Sequence, residues 1–160
     1  KLTIFFTSDL HSYIYPTDYR SQAKKELGLF KCASQFRKDG NTLIIDGGDT
    51  IQGSPLTNLY QRLSPEEKAA CLSEDTYGTH PIAAMMNLAG YQFVTLGNHD
   101  FNYGVDALMD YLTNLDALCL CANIRDGVVF DMFKKENSNL SSKLPSLEKV
   151  IDKFLSKMPE

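Results

Sequence analysis

Three times in this chain an apolar run stops abruptly in residues able to bind a cation. Leu43-Ile44-Ile45 runs into Asp46-Gly47-Gly48-Asp49. Leu2-Thr3-Ile4-Phe5-Phe6 runs into Thr7-Ser8-Asp9-Leu10-His11, and Tyr91-Gln92-Phe93-Val94-Thr95-Leu96 into Gly97-Asn98-His99-Asp100. Runs of β-branched and aromatic residues predict strands, and the glycines that follow predict loops that present a carboxylate at the strand end. One Asp-Gly after an apolar run is an ordinary turn; three such endings, each rich in metal-binding side chains, constrain the fold. In an open α/β sheet the ligand site lies outside the carboxyl ends of parallel strands, at a topological switch point, so endings far apart in sequence can meet there.

The intervening segments read as helices and loops, which makes the chain an α/β protein with a mainly parallel sheet flanked by helices. Ser12 to Ser21 reads as a loop over the site. Ala23 to Lys38 has Leu27, Phe30, Ala33 and Phe36 at helical spacing and Gly40 as a stop. A short helix over about Leu56 to Arg62 is expected to turn Leu56, Leu59 and Tyr60 inward. Ser64-Pro65-Glu66-Glu67 has the form of a capped helix start, with Pro at the first helical position, inside a surface insertion reaching Gly78. His80-Pro81 opens a helix with Ile82, Met85, Met86 and Ala89 on one face and Gly90 at its end. The methionines read as core filler and His80 as structural or exposed. After Gly104, Val105, Leu108, Met109 and Leu112 form an amphipathic stripe, and Ala117 to Ala122 reads as a fourth strand, with a turn at Arg125-Asp126-Gly127. The organisation expected is a domain over residues 1–130 and, over 131–160, a polar link leading to an amphipathic helix marked by Leu147, Val150, Ile151, Phe154 and Leu155.

Length and charge narrow the function. A chain of 160 residues suits one domain. A net charge of -4 with no extended Lys/Arg cluster argues against a nucleic-acid-binding surface. An acidic protein acting on phosphate esters needs cations to offset the repulsion, which agrees with the carboxylates at the strand ends. No apolar run approaches the length of a membrane span, and no signal peptide is visible. A chain that opens at Lys1 directly in a strand reads as one from which an upstream segment has been removed. Cys32, Cys71, Cys119 and Cys121 lack zinc-site spacing; Cys119 and Cys121, two apart in a strand, are expected to share a face in the core, and the spacing fixes no disulfide.

With Asp9-x-His11, Gly48-Asp49 followed by Gly53, and Gly97-Asn98-His99-Asp100 in this order, residues 2 to 124 resemble the calcineurin-like metallophosphoesterases. The spellings IDGGDTIQGSPL and GNHDFNYG resemble the branch of the 5'-nucleotidases and the 2',3'-cyclic-nucleotide phosphodiesterase/3'-nucleotidases, the second more closely. The resemblance implies part of an α/β sandwich, with Asp9 and His11 on one metal, Asp49 bridging two and Asn98 on the second. It implies that His99 contacts the substrate phosphate or the leaving group, oriented by Asp100. It also implies a nucleotide or other phosphate-ester substrate and a secreted, periplasmic or cell-surface location.

The chemistry of the residues supports such a reading independently. Two divalent ions about 3.5–4 Å apart lower the pKa of a bound water and clamp phosphoryl oxygens for in-line attack. Phosphoryl transfer is otherwise mostly positioning and charge neutralisation. Mixed nitrogen and oxygen donors suit Zn²⁺, Mn²⁺ or Fe rather than Ca²⁺ or a thiolate zinc site. The departure is equally specific: family members add histidines from later strands, including a Gly-His-x-His element, whereas this chain has His11, His80 and His99. The expectation is therefore an N-terminal part of a longer catalytic domain, which needs further C-terminal histidine ligands and alone binds metal weakly and turns over slowly or not at all. The alternatives are a non-catalytic binding module on the same fold and a phosphoesterase acting on proteins or lipids.

Overall fold

The structure, a computed structural model, describes residues 1–70 and 80–121. Four strands, β1 (Thr3–Thr7), β2 (Thr42–Asp46), β3 (Phe93–Val94) and β4 (Leu118–Cys119), form one sheet in the order β1-β2-β3-β4, parallel throughout. The connections carry α1 (Leu29–Ala33), α2 (Pro55–Tyr60), α3 (Pro65–Ala70), α4 (Pro81–Ala89) and α5 (Val105–Thr113), and a 3₁₀ turn spans Asn98–Phe101. The expected α/β class with a parallel sheet is what forms. Strand order never reverses among the described strands, so the expected switch point is absent from them and the site is built by loops that rise from neighbouring strand ends.

Parallel register places Phe5 beside Ile44 and Phe6 beside Ile45, so alternate residues face opposite sides of the sheet. Ile44 and Val94 are buried with Leu29, Ile82, Met86, Leu108 and Tyr111. On the other face Ile4, Phe6 and Leu120 are exposed.

Several local expectations shift in phase. The helix expected over 23–38 is only α1. Asp18 N–H bonds to Ala23 C=O and Thr17 bridges Lys24, which makes the preceding segment a turn. Gly28 has φ 89°, and a Cβ there would lie 2.7 Å from the Tyr15 carbonyl oxygen. The Leu29 and Phe30 N–H groups bond to the Tyr13 and Ile14 carbonyls. These long-range backbone partners start the helix late and bury Leu29 while Phe30 is exposed. In α2, Thr57 and Tyr60 turn inward and Leu59 is 62% exposed. In α5, Ala107, Leu108 and Tyr111 are the buried residues and Val105 faces solvent. The last helix, the turn at 125–127 and the boundary near 131 lie outside the described residues.

The start of α3 has the expected reciprocal cap: Ser64 N–H bonds to Glu67 Oε2 at 2.8 Å and Glu67 N–H to Ser64 Oγ at 3.2 Å. Ser64→Ala removes one of these partners and should cost about 1 kcal/mol, read as a lower urea midpoint with an unchanged m-value.

His80 is fully buried, edge-on to Tyr60 and Tyr111, and neither ring nitrogen has a hydrogen-bond partner among the described residues. It is structural, one of the two readings its position allowed. Burial pushes its pKa from 6.5 down to about 4, with Asp110 opposing the shift and Lys68 adding to it. A folded-state pKa below the unfolded one means that the unfolded chain binds more protons between pH 6.5 and 4. Stability attributable to His80 is therefore complete above pH 6.5 and falls as the pH drops toward 4. Buried Asp46, whose pKa burial raises, acts in the opposite direction, so the comparison must be between variants. His80→Phe should lose this acid sensitivity, gaining over the wild type by about 1–3 kcal/mol at pH 4.5 relative to pH 7.5, in urea titrations at the two pH values.

Candidate metal centre

β1 and β2 do not end where their regular pairing ends. Gly47 N–H bonds to Thr7 C=O at 2.7 Å, Asp9 N–H to Gly48 C=O at 2.9 Å, His11 N–H to Asp49 C=O at 3.0 Å and Ser12 N–H to Thr50 C=O at 2.7 Å. Two loops thus climb side by side past the sheet rim. To aim their side chains they adopt left-handed backbone at Asp9 (φ 54°), His11 (φ 46°) and Asp49 (φ 56°), a conformation that disfavours a residue bearing a Cβ and that clusters at functional sites.

The result is convergence. One ligand atom from each of Asp9, His11 and Asp49 lies within 4.8 Å of the others. His11 Nδ1 faces the Gln52 carbonyl oxygen at 2.8 Å. That contact fixes the ring and puts its proton on Nδ1, leaving Nε2, 3.9 Å from Asp9 Oδ1, as the free donor for a metal. Two carboxylates and one imidazole nitrogen, partly open to solvent, are a donor set that fits a divalent cation.

The third loop reaches the same rim. His99 N–H bonds to Asp49 Oδ1 at 2.8 Å, and the His11 and His99 rings stand 5.4 Å apart, edge to face. Asn98 opens the 3₁₀ turn beside His99 and is exposed. The approach is so close that a Cβ on Gly97 would lie 2.2 Å from Asp49 Oδ1, and one on Gly48 would lie 2.3 Å from the Gly97 nitrogen. No side chain larger than hydrogen fits between these loops.

Asp100 differs from its expected role. Its carboxylate is fully buried and accepts four backbone N–H groups: Asp49 at 2.8 Å and Gly97 at 3.0 Å on Oδ2, Thr50 at 2.7 Å and Ile51 at 3.0 Å on Oδ1. The partner of His99 Nδ1 in this structure is Asn102 Nδ2, at 2.9 Å. Asp49 and Asp100 therefore tie the two loops reciprocally, each side chain accepting from the other's loop.

Beneath them Asp46 is fully buried and accepts from Thr7 Oγ1 and Thr50 Oγ1, both at 2.5 Å, and from Gly48 N–H at 3.0 Å. Burial raises its pKa and these hydrogen bonds lower it, the burial effect being the larger. Ser12 Oγ donates to Ser54 Oγ at 2.9 Å and accepts Ser54 N–H at 2.9 Å, which joins the first loop to the start of α2. Asp46, Asn102, Ser12 and Ser54 are the supporting residues that sequence reasoning missed. The signal available for Asp46 was an acid placed inside an apolar run, a position that demands partners.

A model of the calcineurin-like phosphoesterases matches residues 2–157. The chain is 34% identical over 129 residues to a trifunctional nucleotide phosphoesterase protein of Bacillus subtilis, covering 78% of this chain and 8% of that protein. It is 33% identical to a 2',3'-cyclic-nucleotide 2'-phosphodiesterase/3'-nucleotidase of Salmonella typhimurium, over 78% of this chain and 19% of the relative. The crystal structure of a calcineurin-like phosphoesterase from Bacillus subtilis superposes with a TM-score of 0.62 at 33% identity, over 74% of this chain and 36% of that one. The aligned region is thus a small part of the relatives' own length. With strand-end loops that gather Asp9, His11 and Asp49 and a family match over nearly all of its length, this chain belongs to the calcineurin-like phosphoesterases.

Proposed function

We propose that this chain carries the metal-binding rim of an enzyme that hydrolyses nucleotide phosphate esters, as a 5'- or 3'-nucleotidase or a 2',3'-cyclic-nucleotide phosphodiesterase. Family membership implies divalent metal and a phosphate-ester substrate. The observation that carries the finer reading is the meeting of Asp9, His11 and Asp49 from two strand ends, with His99 held against Asp49. In this proposal Asp9 and His11 would hold one divalent ion and Asn98 a second, with Asp49 as the ligand common to both and Zn²⁺, Mn²⁺ or Fe as candidates. When bound, such a pair activates water and neutralises phosphoryl charge.

The chain's own residues supply the remainder. With Asn102 Nδ2 donating to His99 Nδ1, the ring proton sits on Nε2, where it can be donated to a phosphoryl or leaving oxygen. Asp100 positions both loops rather than the His99 ring. A secreted, periplasmic or cell-surface location belongs to the same proposal; among the described residues no helix is long and apolar enough to cross a membrane.

Three converging donors bind metal less tightly than a completed site, so isothermal titration of this chain with Mn²⁺ or Zn²⁺ should give micromolar or weaker affinity, and sub-micromolar binding at two sites would overturn the need for further ligands. Hydrolysis is tested on bis-p-nitrophenyl phosphate, 2',3'-cyclic AMP and AMP with the full-length parent. Turnover should require Mn²⁺ or Zn²⁺ and disappear with chelator. Metal binding without turnover of any of the three would instead favour the non-catalytic module, which the small number of histidines permits.

A further inference from the structure

Cys119 closes β4, and Cys121 follows it past a single residue. Both thiols are free and both side chains are partly accessible. Neither is the fully buried core residue that its spacing predicted, although they share a face as expected. Leu120 N–H bonds to Val94 C=O at 2.8 Å, which keeps the intervening residue extended and leaves the two cysteines on one side of the strand. Their Sγ atoms lie 3.7 Å apart, with a hydrogen between them that either sulfur can donate. Two sulfurs in simple contact stand at that distance too, so the separation has to be weighed against bond lengths. Two Zn–S bonds of about 2.3 Å spanning it meet at the ion at about 107°, within a few degrees of the tetrahedral angle. A linear two-coordinate ion with bonds of that length would need the sulfurs about 4.6 Å apart. The pair as it stands is set for a tetrahedral ion and needs no rearrangement to hold one.

We propose that Cys119 and Cys121 form a metal site of their own, a two-sulfur chelate for a thiophilic divalent ion of the Zn²⁺ or Cd²⁺ class. The spacing of a zinc loop is missing from the sequence because a loop must turn its ligands toward one point, whereas on an extended strand residues i and i+2 already face one side. Binding replaces each sulfur–hydrogen bond by a sulfur–metal bond; two protons leave to solvent and no oxidation state changes.

The surroundings suit a bound thiolate. Thr95 Oγ1 lies 3.7 Å from Cys121 Sγ, and Leu96 N–H also points to that sulfur. A metal-bound thiolate can only accept, so the Thr95 hydroxyl becomes a donor there, and hydrogen bonds of this kind hold and tune a metal's ligands. The buried Asp100 carboxylate opposes a bare negative charge on either sulfur; it attracts a divalent ion placed between them. Two protein ligands leave the other tetrahedral positions open, and the accessibility of both cysteines lets water fill them. Hard ions prefer oxygen donors, which makes Mn²⁺ a candidate for the rim and not for this pair. The pair shares no ligand with Asp9, His11 and Asp49, so its metal binding is independent of the hydrolysis proposed there.

The test is a pulse of N-ethylmaleimide on the reduced full chain, with and without excess Zn²⁺, mapped by tandem mass spectrometry. Zn²⁺ should slow alkylation of Cys119 and Cys121 by about tenfold or more, leave Cys32 unchanged, and lose its effect when EDTA is added. Mn²⁺ should protect neither. Cd²⁺ should give an ultraviolet sulfur-to-metal charge-transfer band that is lost in Cys119→Ser and in Cys121→Ser. Equal protection by Mn²⁺ and Zn²⁺ would mean that a stabilised fold, not coordination, shields the thiols, and would sink the proposal. Full reactivity in Zn²⁺, or a Cd²⁺ band that survives in both variants, would sink it as well. The wild-type alkylation map decides alone, so misfolding of a variant leaves the test intact.

Discussion

Asp49→Asn should abolish metal-dependent hydrolysis, lowering kcat/KM by on the order of 100- to 1000-fold, while the protein stays folded. The substitution is chosen because Asp49 has two separable duties. Its Oδ1 accepts the His99 N–H, and a well-oriented asparagine keeps that oxygen, so the contact between the second and third loops survives. Its charge does not. The loop also retains its left-handed backbone at residue 49, which asparagine tolerates better than most residues. Stability in the absence of metal should therefore remain within about 1 kcal/mol of wild type. The discriminating measurement is the thermal midpoint with and without Mn²⁺ or Zn²⁺. A ligand that binds only the folded state raises it, so the wild type should show an upward shift that Asp49→Asn lacks. An equal shift in both proteins would mean that the metal sits elsewhere, and the assignment of Asp49 as the shared ligand would fail.

The contrast between what was legible in the sequence and what was not follows from range. β1, β2 and β3, with their Asp9, His11, Asp49 and Gly97–Asp100 endings, could be read because an apolar run and its terminating residues are contiguous. The capping box of α3 was equally local. Where expectation and structure part, a distant partner decides. Tyr13 and Ile14 carbonyls capture the backbone at Leu29 and Phe30, so a helical pattern over 23–38 yields one short helix. Leu59 has the right spacing for a buried stripe, yet Thr57 and Tyr60 occupy the inward face of α2. Asp100 was recognisable as an acid beside His99, but three of its four donors, the Asp49, Thr50 and Ile51 N–H groups, come from a loop that only the fold brings near. Spacing along the chain does not encode which of two neighbours a carboxylate will serve.

That difference predicts opposite consequences for two aspartates at one rim. Asp100→Ala should destabilise the protein by about 3–5 kcal/mol, because it strips a buried acceptor from the Asp49, Thr50, Ile51 and Gly97 N–H groups at once. Charge-assisted bonds of this kind are the strong ones, and nothing else among the described residues is placed to receive four inward-facing donors; water can enter only by opening the contact that excludes even a methyl group at Gly48 and Gly97. Asp9→Ala removes a side chain that is 64% exposed and whose partners among the described residues are Ser8 Oγ and the His11 ring, neither of them in the core. It should change stability by less than about 1 kcal/mol while weakening metal binding. Urea denaturation of the two variants in chelator, followed by titration with Mn²⁺, separates the roles. If both lose stability alike, Asp100 is not the tie that holds the second and third loops together. If Asp100→Ala remains folded but loses only turnover, the carboxylate acts on His99 after all and the loop-fastening role assigned to it is wrong.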